Sequence, residues 1–245
     1  MAGYGEFATV YDLLTENVPY NEIADYYDSI ITELSGKRGL LLDIGCGTGN
    51  LTMRMAEKGY DVVAADVSVE MLSIAMSKPH DGIQYICQGM TELDLYGAVD
   101  VAISTLDSVN HLDTPEDIKE CFRNVSENLE QGGLFLFDVN TVYKHRNILA
   151  GNTFVYDVEG VYCVWQNEYS AEHERVTIEL DLFYENDDGS YDRGYESFSE
   201  IAVEQQVLEQ YLDDAGFEVL AVYEYLTKSS PKDDSDKLLI AARKI

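Results

Sequence analysis

The sequence predicts an α/β fold built on a seven-stranded, mostly parallel sheet with helices on both faces. Five short apolar runs alternate with segments of helical periodicity, a rhythm typical of parallel strands joined by crossover helices. These runs lie at residues 40–44, 61–66, 83–87, 99–104 and 134–140. Two further strands, at 217–225 and 237–243, are joined by a loop too short for a crossover helix, so they pair antiparallel or span a gap. Between residues 151 and 203 the rhythm gives way to runs rich in β-branched and aromatic residues, which predict an antiparallel β insertion after the fifth strand.

The composition points to a strongly acidic protein. The chain has 245 residues, 46 of them acidic and 16 basic, which gives a formal net charge of −30. A surface with this charge repels phosphate backbones, so a nucleic-acid substrate is not expected. No apolar run reaches membrane-spanning length, and the N-terminus lacks the pattern of a secretory signal. The four cysteines are widely spaced, without a Cys-x-x-Cys pair, which favours free thiols in a reducing cytoplasm over a zinc site.

Residues 1–38 precede the sheet and predict a helical cap. Apolar and aromatic residues recur at helical spacing from Phe7 to Leu14, and Pro19 ends that run. A second helix is expected to begin with Asn21 as its N-cap and to end near residues 35–36.

The first strand ends in a turn with glycines at alternate positions, Gly45, Gly47 and Gly49, directly before a helical pattern. Such a turn brings backbone N–H groups and a helix N-terminus to one point. Glycine suits it because a Cβ would hold a ligand away from the backbone, and because tight turns often require positive φ. The turn alone is equally compatible with a structure that binds nothing. Cys46 lies within it, where a small packed residue is expected rather than a nucleophile.

The second strand ends in Asp66, roughly twenty residues beyond the glycine turn, the spacing at which nucleoside-binding α/β folds place a carboxylate on ribose hydroxyls. The alternative is that Asp66 caps the helix that follows. Ser68 can cap that helix equally well, which leaves Asp66 available for a ligand. We therefore assign Asp66 to a ribose.

The glycine turn departs from the dinucleotide fingerprint Gly-x-Gly-x-x-Gly, because Asn50 stands where its third glycine would fall. Asp43 precedes the first glycine by two positions, where it would repel a pyrophosphate and suits a cationic ligand. The segment LDIGCGTG at residues 42–49 resembles the first motif of the class I S-adenosylmethionine-dependent methyltransferases. The resemblance covers nearly the whole chain and implies a Rossmann-like fold with S-adenosyl-L-methionine, which carries a sulfonium and an ammonium group, as cofactor.

The resemblance also implies which residues contact the cofactor. They are Tyr20, Asp43, Gly45, Cys46, Gly47, Asp66, Val67, Gly89, Met90 and Leu106. In similar small-molecule methyltransferases a Val-Tyr-Asp and a Pro-Tyr, here residues 10–12 and 19–20, lie over the cofactor. Tyr20 is accordingly expected at the cofactor and Tyr11 at the substrate, although Tyr11 is equally compatible with a core position on an amphipathic helix.

The segment after the third strand departs from the family pattern. Where the family usually has an acid that meets the adenine amino group, this chain has Gln88, Gly89 and Met90. Either the Gly89 backbone takes over that contact or Met90 offers an apolar surface to the base, so both residues are expected near adenine.

The loop after the fourth strand, residues 105–112, lies where open parallel sheets bind their ligands. It resembles the family's Asp-Ser-x-Asn segment, which implies that Asn110 binds substrate. His111 is the candidate general base, because its unperturbed pKa is near neutrality. The alternative is a histidine ring that only packs. Asn140 and Tyr143, which follow the fifth strand, are further candidates for substrate contact.

The remaining elements complete the predicted organisation. The helix before the fifth strand is expected to start at its cap Thr114 and to end at the glycine pair 132–133. Aromatic residues in the insertion, among them Trp165, favour a substrate wall over the alternative of a sheet that only covers the parallel sheet's edge. The predicted division is a helical cap at 1–38, a cofactor-binding core at 39–150, the insertion at 151–203, and a helix with two strands at 204–245.

These features predict methyl transfer to a small-molecule acceptor, at nitrogen or oxygen. A sulfonium already makes its methyl group electrophilic, so the protein mainly has to align an acceptor and exclude water. The alternatives are a catalytically silent cofactor-binding module and an NAD-dependent oxidoreductase, the latter disfavoured by Asp43 and Asn50. An aminopropyltransferase shares the fold, but the chain shows no paired-acid polyamine loop. No metal is expected, and we expect a cytoplasmic monomer or weak homodimer that contacts neither nucleic acid nor membrane.

Overall fold

The computed structural model describes residues 5–80 and 82–245, so residues 1–4 of the predicted helical cap lie outside the described chain. The strands are β1 (Leu40–Ile44), β2 (Asp61–Asp66), β3 (Ile83–Cys87), β4 (Val99–Ser104), β5 (Leu129–Asn140), β6 (Thr153–Val158), β7 (Val161–Ser170), β8 (Arg175–Glu185), β9 (Tyr191–Ile201), β10 (Phe217–Glu224) and β11 (Lys237–Lys244). Seven of them form one sheet in the order β10-β11-β5-β4-β1-β2-β3. β11 runs antiparallel to both of its neighbours, and the other pairs are parallel. The predicted fold class is confirmed.

Helices cover both faces of this sheet. The α-helices of the described residues are α1 (Gly5–Leu14), α2 (Tyr20–Ser35), α3 (Asn50–Glu57), α4 (Val69–Ser77), α5 (Pro115–Asn128), α6 (Val142–Lys144) and α7 (Gln205–Asp214). On one face Phe122 of α5 packs on the rings of Phe135 and Phe137 of β5, and α7 adds buried leucines to the same core. On the other face Tyr27 of α2 and Met55 of α3 are fully buried against the strands. No helix in the described residues is long and apolar enough to cross a lipid bilayer.

The β insertion is a separate sheet in which β6, β7, β8 and β9 pair antiparallel in sequence order. Alternate residues of β8, among them Ile178 and Leu180, are buried on its inner face. They share a core with Phe7 and Val10 of α1, so the insertion and the first helix are packed against each other. This arrangement follows from the period-two pattern of the strands, which directs one side of the sheet toward the helix.

The predicted bounds of α2 are confirmed, but its predicted N-cap residue and the predicted end of α5 are wrong. α2 begins at Tyr20 with Pro19 in the N-cap position, because the Asn21 side chain accepts a hydrogen bond from Arg54 instead of capping the helix. α5 ends at Asn128 and the strand follows at once, so the glycine pair 132–133 lies inside β5. The predicted start of α5 is confirmed, since the Thr114 hydroxyl accepts from the N–H of Asp117.

Gly133 marks a close approach between β5 and β4. A Cβ at this position would lie 2.8 Å from the Glu130 carbonyl oxygen and 3.1 Å from the Asp100 carbonyl oxygen, and both are backbone atoms. We expect Gly133→Ala to lower the free energy of unfolding by about 1–3 kcal/mol in urea titrations, because the strands must separate to admit the methyl group. Gly97→Ala is the control, since no described atom lies within 4 Å of its added Cβ. Equal losses in the two variants would contradict the close approach.

Candidate active site

A cavity of about 450 Å³ lies at the carboxyl end of the parallel strands. The glycine turn after β1 and the loops after β2, β3 and β4 form one wall of it. Side chains of α1 and of the inner face of the insertion form the opposite wall. The cavity thus occupies the edge of the sheet where open parallel folds bind their ligands.

The glycine turn needs glycine for two separate reasons. Gly45, Gly47 and Gly49 all have φ in the left-handed region, between 53° and 75°. A Cβ at Gly45 would lie 2.9 Å from the side chains of Met90 and Ser108, whereas a Cβ at Gly47 would meet no described atom within 4 Å. Gly45 is therefore required for packing against the neighbouring loops, and Gly47 keeps an open backbone at the cavity.

Asp66 is oriented by two backbone hydrogen bonds. Its Oδ2 accepts from the N–H of Gly47 and its Oδ1 from the N–H of Ser68, both at 2.8 Å. Ser68 caps α4 through the N–H of Met71, as the sequence predicts. Burial raises the pKa of Asp66, while these two N–H groups favour the charged form. Asp66 lines the cavity as a fixed hydrogen-bond acceptor, the geometry that a ribose diol requires.

Asp43 does not line the cavity, so the structure does not support direct contact with the cofactor. The side chain is 1 % exposed, and its Oδ2 accepts from the Thr52 hydroxyl of α3 at 2.6 Å. Its Oδ1 is buried without a hydrogen-bond partner among the described residues. Burial between β1 and α3 raises its pKa to about 7. The side chain takes this position because a strand residue ahead of the turn is directed under α3 and away from the sheet edge.

The charges around the cavity fit a cationic ligand. The carboxylates of Asp66, Asp107 and Glu200 are part of its lining, and none of the described lining residues is lysine or arginine. A diphosphate would face these carboxylates without a basic partner, whereas a sulfonium or an ammonium group is attracted by them. The site therefore fits S-adenosyl-L-methionine better than NAD.

Comparison with known proteins agrees with this chemistry. Residues 41–133 match a family model described as a methyltransferase domain. A protein of Geobacillus sp. (strain WCH70), provisionally named a methyltransferase, is 32% identical over 246 residues, covering 98% of this chain and 99% of the relative. The chain belongs to the class I S-adenosylmethionine-dependent methyltransferases.

Solved structures extend the similarity to the whole fold of this methyltransferase. The crystal structure of an S-adenosylmethionine-dependent methyltransferase from Clostridium acetobutylicum ATCC 824 matches with a TM-score of 0.86 at 28% identity, covering 98% of each chain. An amino pentose methyltransferase from Micromonospora echinaspora, solved with S-adenosylmethionine bound, has the same fold, with a TM-score of 0.78 at 18% identity and coverage of 96% and 97%. S-adenosyl-L-methionine is the cofactor.

The structure brings the predicted cofactor residues together, except for Asp43. Those that line the cavity are Tyr20, Gly45, Cys46, Gly47, Asp66, Val67, Gly89, Met90 and Leu106. Of the predicted substrate and catalytic residues, Tyr11, His111 and Trp165 line the same cavity. Burial raises the pKa of the Cys46 thiol well above its usual range, which agrees with a packing role and not with a nucleophile.

The structure places the other predicted substrate ligands, Asn110, Asn140 and Tyr143, outside the lining of the cavity. The Asn110 amide is fully engaged by the backbone: it donates to the carbonyls of Asn140 and Ile201 and accepts from the N–H of Asn140. The Asn140 amide donates to Glu200, and Tyr143 lies partly exposed on α6. The two asparagines join β5 to the neighbouring elements because buried polar groups must find partners.

The sequence analysis missed Glu200, which lines the cavity, and Lys237, which pairs with the lining residue Asp107. Glu200 lines the cavity two residues after Phe198, so the two share one face of β9, and this alternation was an available signal. Lys237 belongs to β11, and its Nζ lies 2.6 Å from Asp107 Oδ1 and 3.1 Å from Asp138 Oδ1. No local pattern could have indicated this pairing, because β11 is distant in sequence from both acids.

The loop that carries His111 is held in a strained conformation by Asp138. Leu106 and Asp107 have φ of 54° and 56°, a region that non-glycine residues rarely adopt. The fully buried Asp138 carboxylate accepts both of their N–H groups, at 2.9 Å and 2.7 Å, and also accepts from the Tyr27 hydroxyl. Burial alone would raise the pKa of Asp107, but Lys237 and other nearby cations hold it well below its usual range.

Helix α1 is fastened to the glycine turn through Asp12. Its Oδ1 accepts from the Thr48 hydroxyl and from the Asn50 amide, and its Oδ2 lies 2.6 Å from Lys78 Nζ. Lys78 also donates to the Thr48 carbonyl and to the Asn50 side chain. These bonds keep the first helix closed over the cofactor half of the cavity.

Asp66→Asn tests the ribose assignment. The amide replaces a charged acceptor, and hydrogen bonds to charged groups contribute roughly 1.5–3 kcal/mol each, so we expect S-adenosylhomocysteine to bind about 10–100-fold more weakly in calorimetric titrations. Asp61→Asn is the matched control, because Asp61 begins the same strand and is exposed away from the cavity. Unchanged affinity in Asp66→Asn would mean that the ribose lies elsewhere.

Asp43 predicts a specific pH dependence of stability. Its pKa is raised from 3.8 to about 7 in the folded protein, so folding favours the protonated carboxyl. The contribution of this group to the free energy of unfolding is therefore fully present below pH 3.8 and is lost as the pH rises through about 7. In the cofactor-free protein, Asp43→Asn is expected to remove a fall of roughly 2–4 kcal/mol in the free energy of unfolding across this range. Urea titrations at several pH values measure it, with Asp61→Asn retaining the wild-type slope. Parallel curves for wild type and Asp43→Asn would contradict the raised pKa.

Proposed function

We propose that this methyltransferase transfers the methyl group of S-adenosyl-L-methionine to a small-molecule acceptor, at nitrogen or oxygen. The observation that carries the proposal is the wall opposite the glycine turn. Tyr11, Tyr156, Trp165 and Phe198 line the cavity there and enclose space next to the cofactor residues. An enclosed aromatic wall suits a small acceptor with an apolar surface.

Two further observations support a small molecule over a macromolecule. The net charge of −30 and the carboxylates inside the cavity repel a phosphate backbone. α1 and the insertion are packed together over the sheet edge, so the site is a cavity and not an open groove. The amino pentose methyltransferase from Micromonospora echinaspora, which shares the fold, is named for a small acceptor of this kind.

The side chains divide into two groups by their proposed roles. Asp66 and the open backbone at Gly47 bind the cofactor, and the Asp12 contacts keep water out by closing α1. His111 faces the acceptor half of the cavity as the candidate base, 4.0 Å from Glu200. When bound, the cofactor supplies an electrophilic methyl carbon on a sulfonium. The chain then has to orient the acceptor and accept its proton.

Trp165 gives a direct test, because it is the single tryptophan of the chain and lines the acceptor half of the cavity. A metabolite extract is incubated with methyl-labelled S-adenosylmethionine to identify the labelled acceptor. Trp165→Leu is then expected to raise the KM for that acceptor by about 5–50-fold through lost aromatic contact. The dissociation constant of S-adenosylhomocysteine is expected to change less than twofold.

Phe183→Leu is the matched control, because Phe183 belongs to the same sheet but does not line this cavity. It should leave both constants unchanged. Label found only in RNA or protein would contradict a small acceptor. Tight S-adenosylhomocysteine binding with no labelled product of any kind would favour the catalytically silent module.

A further inference from the structure

The acceptor half of the cavity contains two carboxylates beside His111. Asp107, His111 and Glu200 all line the cavity, and each offers one side-chain atom within 4.8 Å of the others. They come from the loop after β4 and from the end of β9, so this grouping exists only in the folded chain. The Phe198 ring, with its centroid 5.3 Å from that of the His111 ring, adds an apolar surface beside the group.

Glu200 is held in place by two neighbouring side chains. Its side chain is 3 % exposed, and its Oε2 accepts from the Asn140 amide at 2.9 Å and contacts His145 Nε2 at 3.1 Å. The other oxygen, Oε1, lies 4.0 Å from His111 Nε2. Glu200 is thus held through Oε2, while its Oε1 is directed toward His111 in the cavity.

The cations near this group do not compensate Glu200. Lys237 lies between Asp107 and Asp138, at 2.6 Å and 3.1 Å from their nearest oxygens. Among the described residues, no lysine or arginine nitrogen lies within 4.0 Å of the Glu200 carboxylate. A nearly buried carboxylate without a permanent cationic partner is costly unless a ligand supplies the positive charge.

We infer that the acceptor is a primary or secondary amine that enters as an ammonium ion and is held between Glu200 and Asp107, an inference that rests on the proposed function. A hydroxyl acceptor would bring no charge to offset the carboxylates. A divalent metal ion at the same three side chains would face the Lys237 ammonium, which already occupies one oxygen of Asp107. An ammonium ion offsets the carboxylates with a single positive charge, so Lys237 repels it less than a divalent ion. It also donates several hydrogen bonds to the carboxylate oxygens.

His111 provides an acceptor for the proton that the ammonium ion must lose before the methyl group is transferred. The bound ammonium gives one N–H proton to the imidazole of His111 and becomes a neutral amine. The amine lone pair then forms the N–C bond to the methyl carbon, while the electron pair of the breaking C–S bond returns to sulfur and leaves a neutral thioether. The methylated product carries the positive charge that the sulfonium lost. The His111 imidazolium beside Glu200 releases its proton to solvent afterwards.

The test uses a charged and a neutral probe of equal shape. The full chain is saturated with S-adenosylhomocysteine and titrated with benzylamine, which is protonated at neutral pH, and with benzyl alcohol, with Trp165 fluorescence and calorimetry as readouts. We expect benzylammonium to bind at least about tenfold more tightly than the alcohol, as a hydrogen-bonded charge pair requires. The preference is expected to fall to within about threefold in Glu200→Gln and to be reduced in Asp107→Asn.

Glu168→Gln is the matched control, since Glu168 is an exposed residue of β7 outside the cavity, and it should retain the full preference. Equal binding of the two probes by the wild-type protein overturns the inference, and this measurement needs no variant to fold. Binding of either probe that depends on added Mg²⁺ or Mn²⁺ overturns it in favour of a metal site. Methyl transfer to hydroxyl acceptors alone would refute the amine and leave the proposed function intact, whereas failure of S-adenosylhomocysteine to bind would refute the proposed function itself.

Discussion

The carboxylate of Asp138 is the interaction on which the catalytic half of the molecule depends. It accepts two consecutive N–H groups of the loop after β4, those of Leu106 and Asp107, which both have left-handed backbone conformations. It also binds Tyr27 of α2 and lies 3.1 Å from Lys237 of β11. Strained conformations at functional sites persist only when their surroundings over-determine them, and here three separate elements do so. The position of His111 follows from this loop.

The opposite half of the cavity is organised by a second carboxylate that also binds backbone N–H groups. Asp66 connects the end of β2 to the glycine turn through Gly47, and Asp12 connects the same turn to α1. Acidic side chains therefore orient the loop after β4 and the glycine turn, and the acids of the lining also make the cavity negative. A cofactor with a sulfonium and an ammonium group suits this interior, and so does an amine acceptor, because each brings the positive charge that the lining lacks.

Short-range sequence patterns predicted most of the fold and the cofactor half of the site. The alternation of apolar runs and helical segments predicts the parallel sheet, and the glycines with Asp66 mark the nucleoside end of the cavity, because both depend on residues close together in the chain. Ser68 and Thr114 were recognisable as helix caps for the same reason. Helix ends were less predictable: the glycine pair at 132–133 looks like a helix stop but lies within β5.

The sequence by itself determined the parallel architecture, the β insertion and the glycine turn, since each follows from residue types at short, regular spacing. The type of cofactor came from the resemblance of residues 42–49 to a methyltransferase motif. Only the tertiary structure decided which polar side chains line the cavity. Asn110 follows β4 and Asn140 is the last residue of β5, yet they bind the backbone and Glu200, partners 30 to 91 residues away in the chain. Glu200 and Lys237 reach the site from distant strands. A buried polar group is satisfied by whichever element packs against it, and that choice is made by the assembled core and not by neighbouring residues.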